Sequence, residues 1–120
     1  MEIAEVKPII VSQNLSQCMS GGTWEYSNRT VCLVKIITNN GVFGWGEGYG
    51  PAEIIKAAIE FFTPFIMGKN SLEHETIWNE MYQRSLDFGR RGIFLSGLSA
   101  IDIALWDIKG KLELKWLLIQ

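Results

Sequence analysis

Residues 97–111, Gly97-Leu98-Ser99-Ala100-Ile101-Asp102-Ile103-Ala104-Leu105-Trp106-Asp107-Ile108-Lys109-Gly110-Lys111, constrain the fold more than any other stretch of the chain. Leu98, Ile101, Leu105 and Ile108 recur at three- and four-residue steps and so stack on one face of a helix. Ala100, Ile103, Ala104 and Trp106 make most of the remaining circumference apolar. A helix apolar nearly all round is buried on more than one side. The spacing therefore predicts a central core helix, with Asp107 in reach of Lys111 one turn on. Asp102 and Asp107 lie about 140° apart around that helix and do not form one carboxylate pair.

What surrounds this helix must come from 120 residues, one domain's worth of chain, and 48% apolar content is enough for a core. A (β/α) barrel needs about 250 residues, so none fits here. Eleven basic side chains against 13 acidic ones, net −2, form no basic stripe, which argues against a nucleic-acid partner. No apolar run is long enough for a membrane span. Cys18 and Cys32 have no metal-ligand spacing and are expected as reduced thiols. Met1–Pro8 lacks a signal-peptide pattern, so the expected compartment is the cytoplasm.

Ile3–Val11 reads as an edge strand carrying Pro8. Residues 12–28 turn polar and small and read as a long loop, which carries Trp24 and Tyr26. Thr30–Thr38 is densely β-branched, and Asn39-Asn40-Gly41 is a strong hairpin signal before Val42–Glu47. Gly50-Pro51 opens a helix with Ile54, Ile55, Ala58, Ile59, Phe62 and Phe65 on one face. Pro64 is expected to break or tighten its last turn, and Gly68 to close it. Asn70 with Glu73 reads as a capping box for a further helix, with Ile77, Trp78, Met81 and Tyr82 inward. A connector, Asp87–Gly92, leads to the central helix. Strands first and helices after them is an α+β arrangement, a three-stranded antiparallel meander followed by a helical bundle.

Two of these stretches together resemble a known family. The segment Gly97–Lys111, with Asp102, Ala104, Asp107, Gly110 and Lys111 in register, resembles a signature of the mandelate racemase and muconate lactonizing enzyme branch of the enolase superfamily. Gly41-Val42-Phe43-Gly44-Trp45-Gly46-Glu47 is similar to the hairpin strand of the same family's N-terminal capping domain. The resemblance covers about residues 1–111, the expected capping domain. Residues 112–120 form an atypical tail, because the family usually continues with a small residue, then Leu-Gly-Leu-Pro and a glycine-ended apolar run. Leu112 and Leu114 would match the family leucines if one residue were missing after Lys111. A truncation, a shifted reading frame and an altered end all stay open.

The resemblance implies a magnesium-dependent enzyme that abstracts a proton beside a substrate carboxylate, as an acid-sugar dehydratase, racemase or cycloisomerase. The family's metal ligands and bases sit on barrel strands, so no catalytic or metal residue is assigned here. Magnesium belongs to the intact enzyme and is not expected on this chain alone. The capping domain supplies specificity and closure through two loops, which map to about Ser16–Arg29 and Gly46–Pro51. Trp24, Glu25, Tyr26 and Tyr49 are the side chains expected against a small-molecule carboxylate substrate. The opposing reading is that Trp24 and Tyr26 merely pack their loop onto the sheet. Glu47 is expected to bond loop backbone amides at the strand end. Glu25 and the Arg90-Arg91 pair favour a sugar acid weakly, against the plainer reading of Arg90 and Arg91 as solvated.

Two further motifs are set aside. Gly44–Gly50 fails the dinucleotide fingerprint, since Gly-x-Gly-x-x-Gly would need glycine at Tyr49 or at Pro51. His74, the only histidine, has no Cys or His partner nearby and reads as a solvated residue. The alternative to an enzyme fragment is a stand-alone binding or self-association module. If the helix runs past Lys111, then Leu105, Ile108, Leu112, Trp116 and Ile119 extend one apolar stripe, which predicts a homo-oligomer through Leu105–Ile119.

Overall fold

The turn at Asn39-Asn40-Gly41 sets the register of the sheet. The computed structural model describes residues 1–21, 24–88 and 92–119, with 14–21, 24–28, 116 and 119 described by backbone alone. Thr38 donates its N–H to the Val42 carbonyl at 2.8 Å, and Gly41 its N–H to Thr38 at 3.0 Å. Gly41 takes φ 84°, a conformation open to glycine at no steric cost. On either side lie β2, Trp24–Thr38, and β3, Phe43–Gly48, while β1, Ile3–Gly21, pairs with the other edge of β2. The three strands form an antiparallel sheet in chain order. Cys32, Val34, Ile36 and Thr38 point to the core, and Val31, Leu33, Lys35 and Ile37 to the other face, as the two-residue period of a strand requires.

Three helices follow: α1, Ala52–Ile66; α2, His74–Ser85; and α3, Ile93–Ile119, preceded by a short 3₁₀ turn at Leu86–Phe88. This is the α+β order expected from the sequence. α3 lies along β3, α1 reaches β1 and β2, and α2 packs on α3. Ile55, Ile59, Phe62, Ile66, Ile77 and Met81 join Leu98, Ile101, Leu105 and Ile108 in one fully buried core. Phe61, Phe62, Phe65, Phe88 and Phe94 meet edge to face or stacked, with centroids 5.2–6.1 Å apart, and tie α1 to the start of α3. The connector after α1 holds the first strand, since Gly68 donates to Ile3 and Ile3 to Lys69, both at 2.9 Å.

Several expectations are corrected. The long loop expected over residues 12–28 is a continuation of both strands, pairing Gln13 with Arg29, Asn14 with Asn28, and, after a register shift, Met19 with Tyr26. Four β1 residues there face one on β2, and antiparallel pairing satisfies backbone groups that a loop would leave to water. Turn-forming composition hid this, because small polar residues do not forbid extended backbone. The capping box does not form: α2 starts at His74 with no side-chain cap, and the Asn70 carboxamide instead accepts the Leu72 N–H at 3.0 Å. Pro64 sits inside α1, which continues to Ile66. Ile54 is half exposed because Ala52, Ile55, Ala58, Ile59 and Phe62 carry the buried face. Among the described residues no helix is long and apolar enough to cross a membrane.

Candidate functional site

The glycines at alternate positions of β3 explain how α3 reaches the sheet. Gly44, Gly46 and Gly48 all face the helix, and a Cβ on Gly44 or Gly46 would collide with the carbonyl of Ala104 or Ala100 respectively. One on Gly48 would press on Ile55 Cγ2 at 2.5 Å, and one on Gly97 on Ala58 Cβ at 2.7 Å. The glycine series that invites a dinucleotide reading is therefore a bed for a helix backbone, matched by Ala100 and Ala104 on the helix side.

Polar contacts then close the outer edge of β3. The Trp45 N–H donates to Asp107 Oδ2 at 2.9 Å, and Lys111 Nζ donates to the Phe43 carbonyl at 2.8 Å. Asp107 and Lys111 pair with each other at 3.3 Å, as their spacing predicts. An edge strand exposes unpaired backbone groups, and here two side chains of α3 take up one donor and one acceptor. Asp102 stands apart from Asp107, and burial pushes its carboxyl above the usual 3.8, opposed by His74 and the Trp106 indole.

This packing fixes where β3 ends. Tyr49, 93% exposed, follows Gly48, and Gly50 with φ 138° turns the chain into α1. Glu47 is exposed and, among the described residues, accepts no backbone amide, so the expected bond is not seen. It instead lines an open groove of about 290 Å³ with Val11, Gln13, Arg29 and Val31. Beyond that groove β1 and β2 continue as a two-stranded arm carrying Trp24, Glu25 and Tyr26 near its tip. Cys32 pairs with Gly48, so Trp24 lies roughly 26 Å farther along β2 at about 3.3 Å per residue. The structure does not bring Tyr49 beside Trp24. Arg90 and Arg91 lie outside the described residues.

His74 is not solvated. It is 8% exposed and its ring stacks on Trp106, with centroids 4.5 Å apart and planes 24° from parallel. Burial lowers its pKa from 6.5, with Asp102 opposing and Lys109 reinforcing the shift. The partner that keeps it dry is an aromatic on another helix, which no local sequence signal announces. Burial likewise raises the pKa of the Cys32 thiol above 9.0.

No group of three His, Cys, Asp or Glu side chains among the described residues could hold a metal ion. Asp107 is engaged by the Trp45 amide and Lys111 and Asp102 faces His74, so the donor set does not fit magnesium.

The family model for the mandelate racemase / muconate lactonizing enzyme N-terminal domain matches residues 4–116. The chain belongs to that family. As its N-terminal capping domain, the chain is 36% identical over 111 residues to the D-galactarolactone cycloisomerase of Agrobacterium fabrum, covering 92% of this chain and 29% of that protein. It is 38% identical over 84 residues to the arabinonate dehydratase of Saccharolobus solfataricus, 68% of this chain and 22% of that one. The crystal structure of the 3,6-anhydro-D-galactonate cycloisomerase from Zobellia galactanivorans superposes with a TM-score of 0.83 at 47% identity, covering 93% of this chain and 29% of that one. The capping domain thus spans less than a third of the length of these relatives.

Proposed function

We propose that this capping domain forms the substrate-covering part of a magnesium-dependent active site that abstracts a proton beside a carboxylate. Its substrate is a sugar acid, and the reaction is a cycloisomerisation, dehydration or racemisation in the cytoplasm. The observation that carries the reading is the two-stranded arm, which continues beyond the last β2–β3 pair at Cys32 and Gly48, next to which the chain turns at Tyr49. Both come from segments that correspond to the family's closing loops. Trp24 and Tyr26 would cover the pocket once the arm folds over it, Tyr49 would line it from the turn after β3, and Glu25 would accept hydrogen bonds from substrate hydroxyls. Closure of such elements excludes water and orients substrate, so their effect falls on KM and specificity. In the intact enzyme magnesium would supply electrostatic stabilisation of developing negative charge, while the residues of this domain would bind and cover the substrate. Residues 1–111 are the capping unit in this reading, and 112–120 the tail.

The DNA following the Gln120 codon tests this. A reading frame there with strand-end Lys-x-Lys, Asp, Glu and Glu motifs is expected. A coding region without them would leave a stand-alone module.

We further propose that this chain by itself forms a homo-oligomer. α3 runs unbroken through Gly110 to Ile119, but Leu105 and Ile108 of the expected stripe are core and Leu112 is partly buried against it, while the side chains of Trp116 and Ile119 lie outside the described ones. The exposed stripe is the opposite face, Ile103, Trp106, Leu114 and Leu117 with Leu118 beside them. Each such side chain left in water forgoes about 1.5–3 kcal/mol of burial. Light scattering at micromolar concentration should report a dimer or larger species, and Leu114→Glu with Leu117→Glu should yield a monomer. A wild-type monomer of 13.6 kDa would rule the proposal out.

A further inference from the structure

Beside the apolar contacts of Ile77 and Met81, the first turn of α2 meets α3 through one titratable ring. His74 opens α2 and is stacked on Trp106, and neither Nδ1 nor Nε2 finds a hydrogen-bond partner among the described residues. A neutral imidazole tolerates such a site, whereas an imidazolium carries two N–H donors and a charge that need partners or water. The charged groups acting on it from α3 are Asp102, which favours protonation, and Lys109, which opposes it. On its own helix the exposed Glu73 and Glu75 flank it in sequence. The turn just before it is bonded to the first strand, with Ser71 donating to the Met1 carbonyl at 2.9 Å and Asn70 bridging Glu2.

We propose that the His74–Trp106 stack is a proton-operated latch: neutral, it clamps the first turn of α2 onto α3, and protonation releases it. Release would free the 67–73 connector with it, and so loosen the hold on Met1–Ile3. The sign follows from the buried ring. Its folded-state pKa lies below 6.5, so the contact is at full strength above that value and weakens as pH falls through it toward the folded pKa. Asp102 acts in the opposite sense, since protonating a carboxyl whose pKa burial has raised relieves its own desolvation.

The single histidine makes the test direct. The His74 C2–H resonance and the Trp106 indole N–H resonance are followed by NMR from pH 8 to 4.5, with amide exchange of residues 68–78 at each end. One midpoint below 6.5 is expected for both resonances, and at least tenfold faster exchange of those amides on the acid side. His74→Phe keeps a flat apolar ring without a proton, and should abolish the acid-induced exchange. A His74 midpoint at or above 6.5, or a Trp106 signal that ignores it, would overturn the latch. So would an exchange change that survives in His74→Phe. If that variant does not fold, agreement or disagreement of the two wild-type midpoints decides alone.

Discussion

β2 is one continuous strand whose two halves live in different surroundings. Cys32–Ile37 has β1 on one side, β3 on the other and helices over its inner face. Trp24–Thr30 has only β1, and among the described residues nothing pairs with its other edge. A two-stranded ribbon is marginal on its own, whereas three strands under a helix make a stable layer. The helix-backed half therefore acts as a foundation and the arm as the part it holds out. Binding groups commonly sit on such extensions from a rigid scaffold, and Trp24, Glu25 and Tyr26 are all on the arm.

The foundation is the easier half to break. Gly46→Val puts side-chain atoms where the Ala100 carbonyl lies and should destabilise the domain by about 3 kcal/mol or more, visible in urea unfolding. Equal stability would mean that α3 does not rest on β3 as described. Asp107→Ala removes the acceptor for the Trp45 N–H and the partner of Lys111, at a half-exposed site. A loss of about 1 kcal/mol is expected, since the freed amide can find water. Gly110→Ala should do the reverse, because nothing lies within 4 Å of the added methyl and the position is helical. A gain of about 0.5–1 kcal/mol is expected from the same denaturation series.

Amide exchange sharpens the contrast between the halves without any mutation. Slow exchange is expected across Val34–Ile37, and faster exchange at Gln13, Asn14, Arg29 and Thr30, where only one partner strand stands guard. Equal protection would erase the distinction on which the arm's proposed role depends.

How far the sequence could be read follows the same division. The central helix, the Asn39–Gly41 hairpin and the Asp107–Lys111 pair were legible because period, turn chemistry and i,i+4 spacing are local signals. The arm was not, because Ser12–Asn28 carries turn-forming residues, and strand pairing from Ser12 with Thr30 to Gly21 with Trp24 overrides them. The glycines of β3 were visible but their purpose was not, since close approach to Ala100 and Ala104 depends on a helix more than fifty residues away. His74 was misread for a similar reason: its burial is owed to Trp106, on another helix.

The proposal that this chain supplies the covering part of an active site, and not its chemistry, is tested most directly by assaying it alone. The purified chain is incubated with magnesium and a panel of acid sugars and α-hydroxy acids, and product is followed across the purification. With no group of metal-holding side chains among the described residues, proton abstraction would lack its main electrostatic support, so no turnover above background is expected. Turnover that follows the 13.6 kDa chain through every step would contradict it.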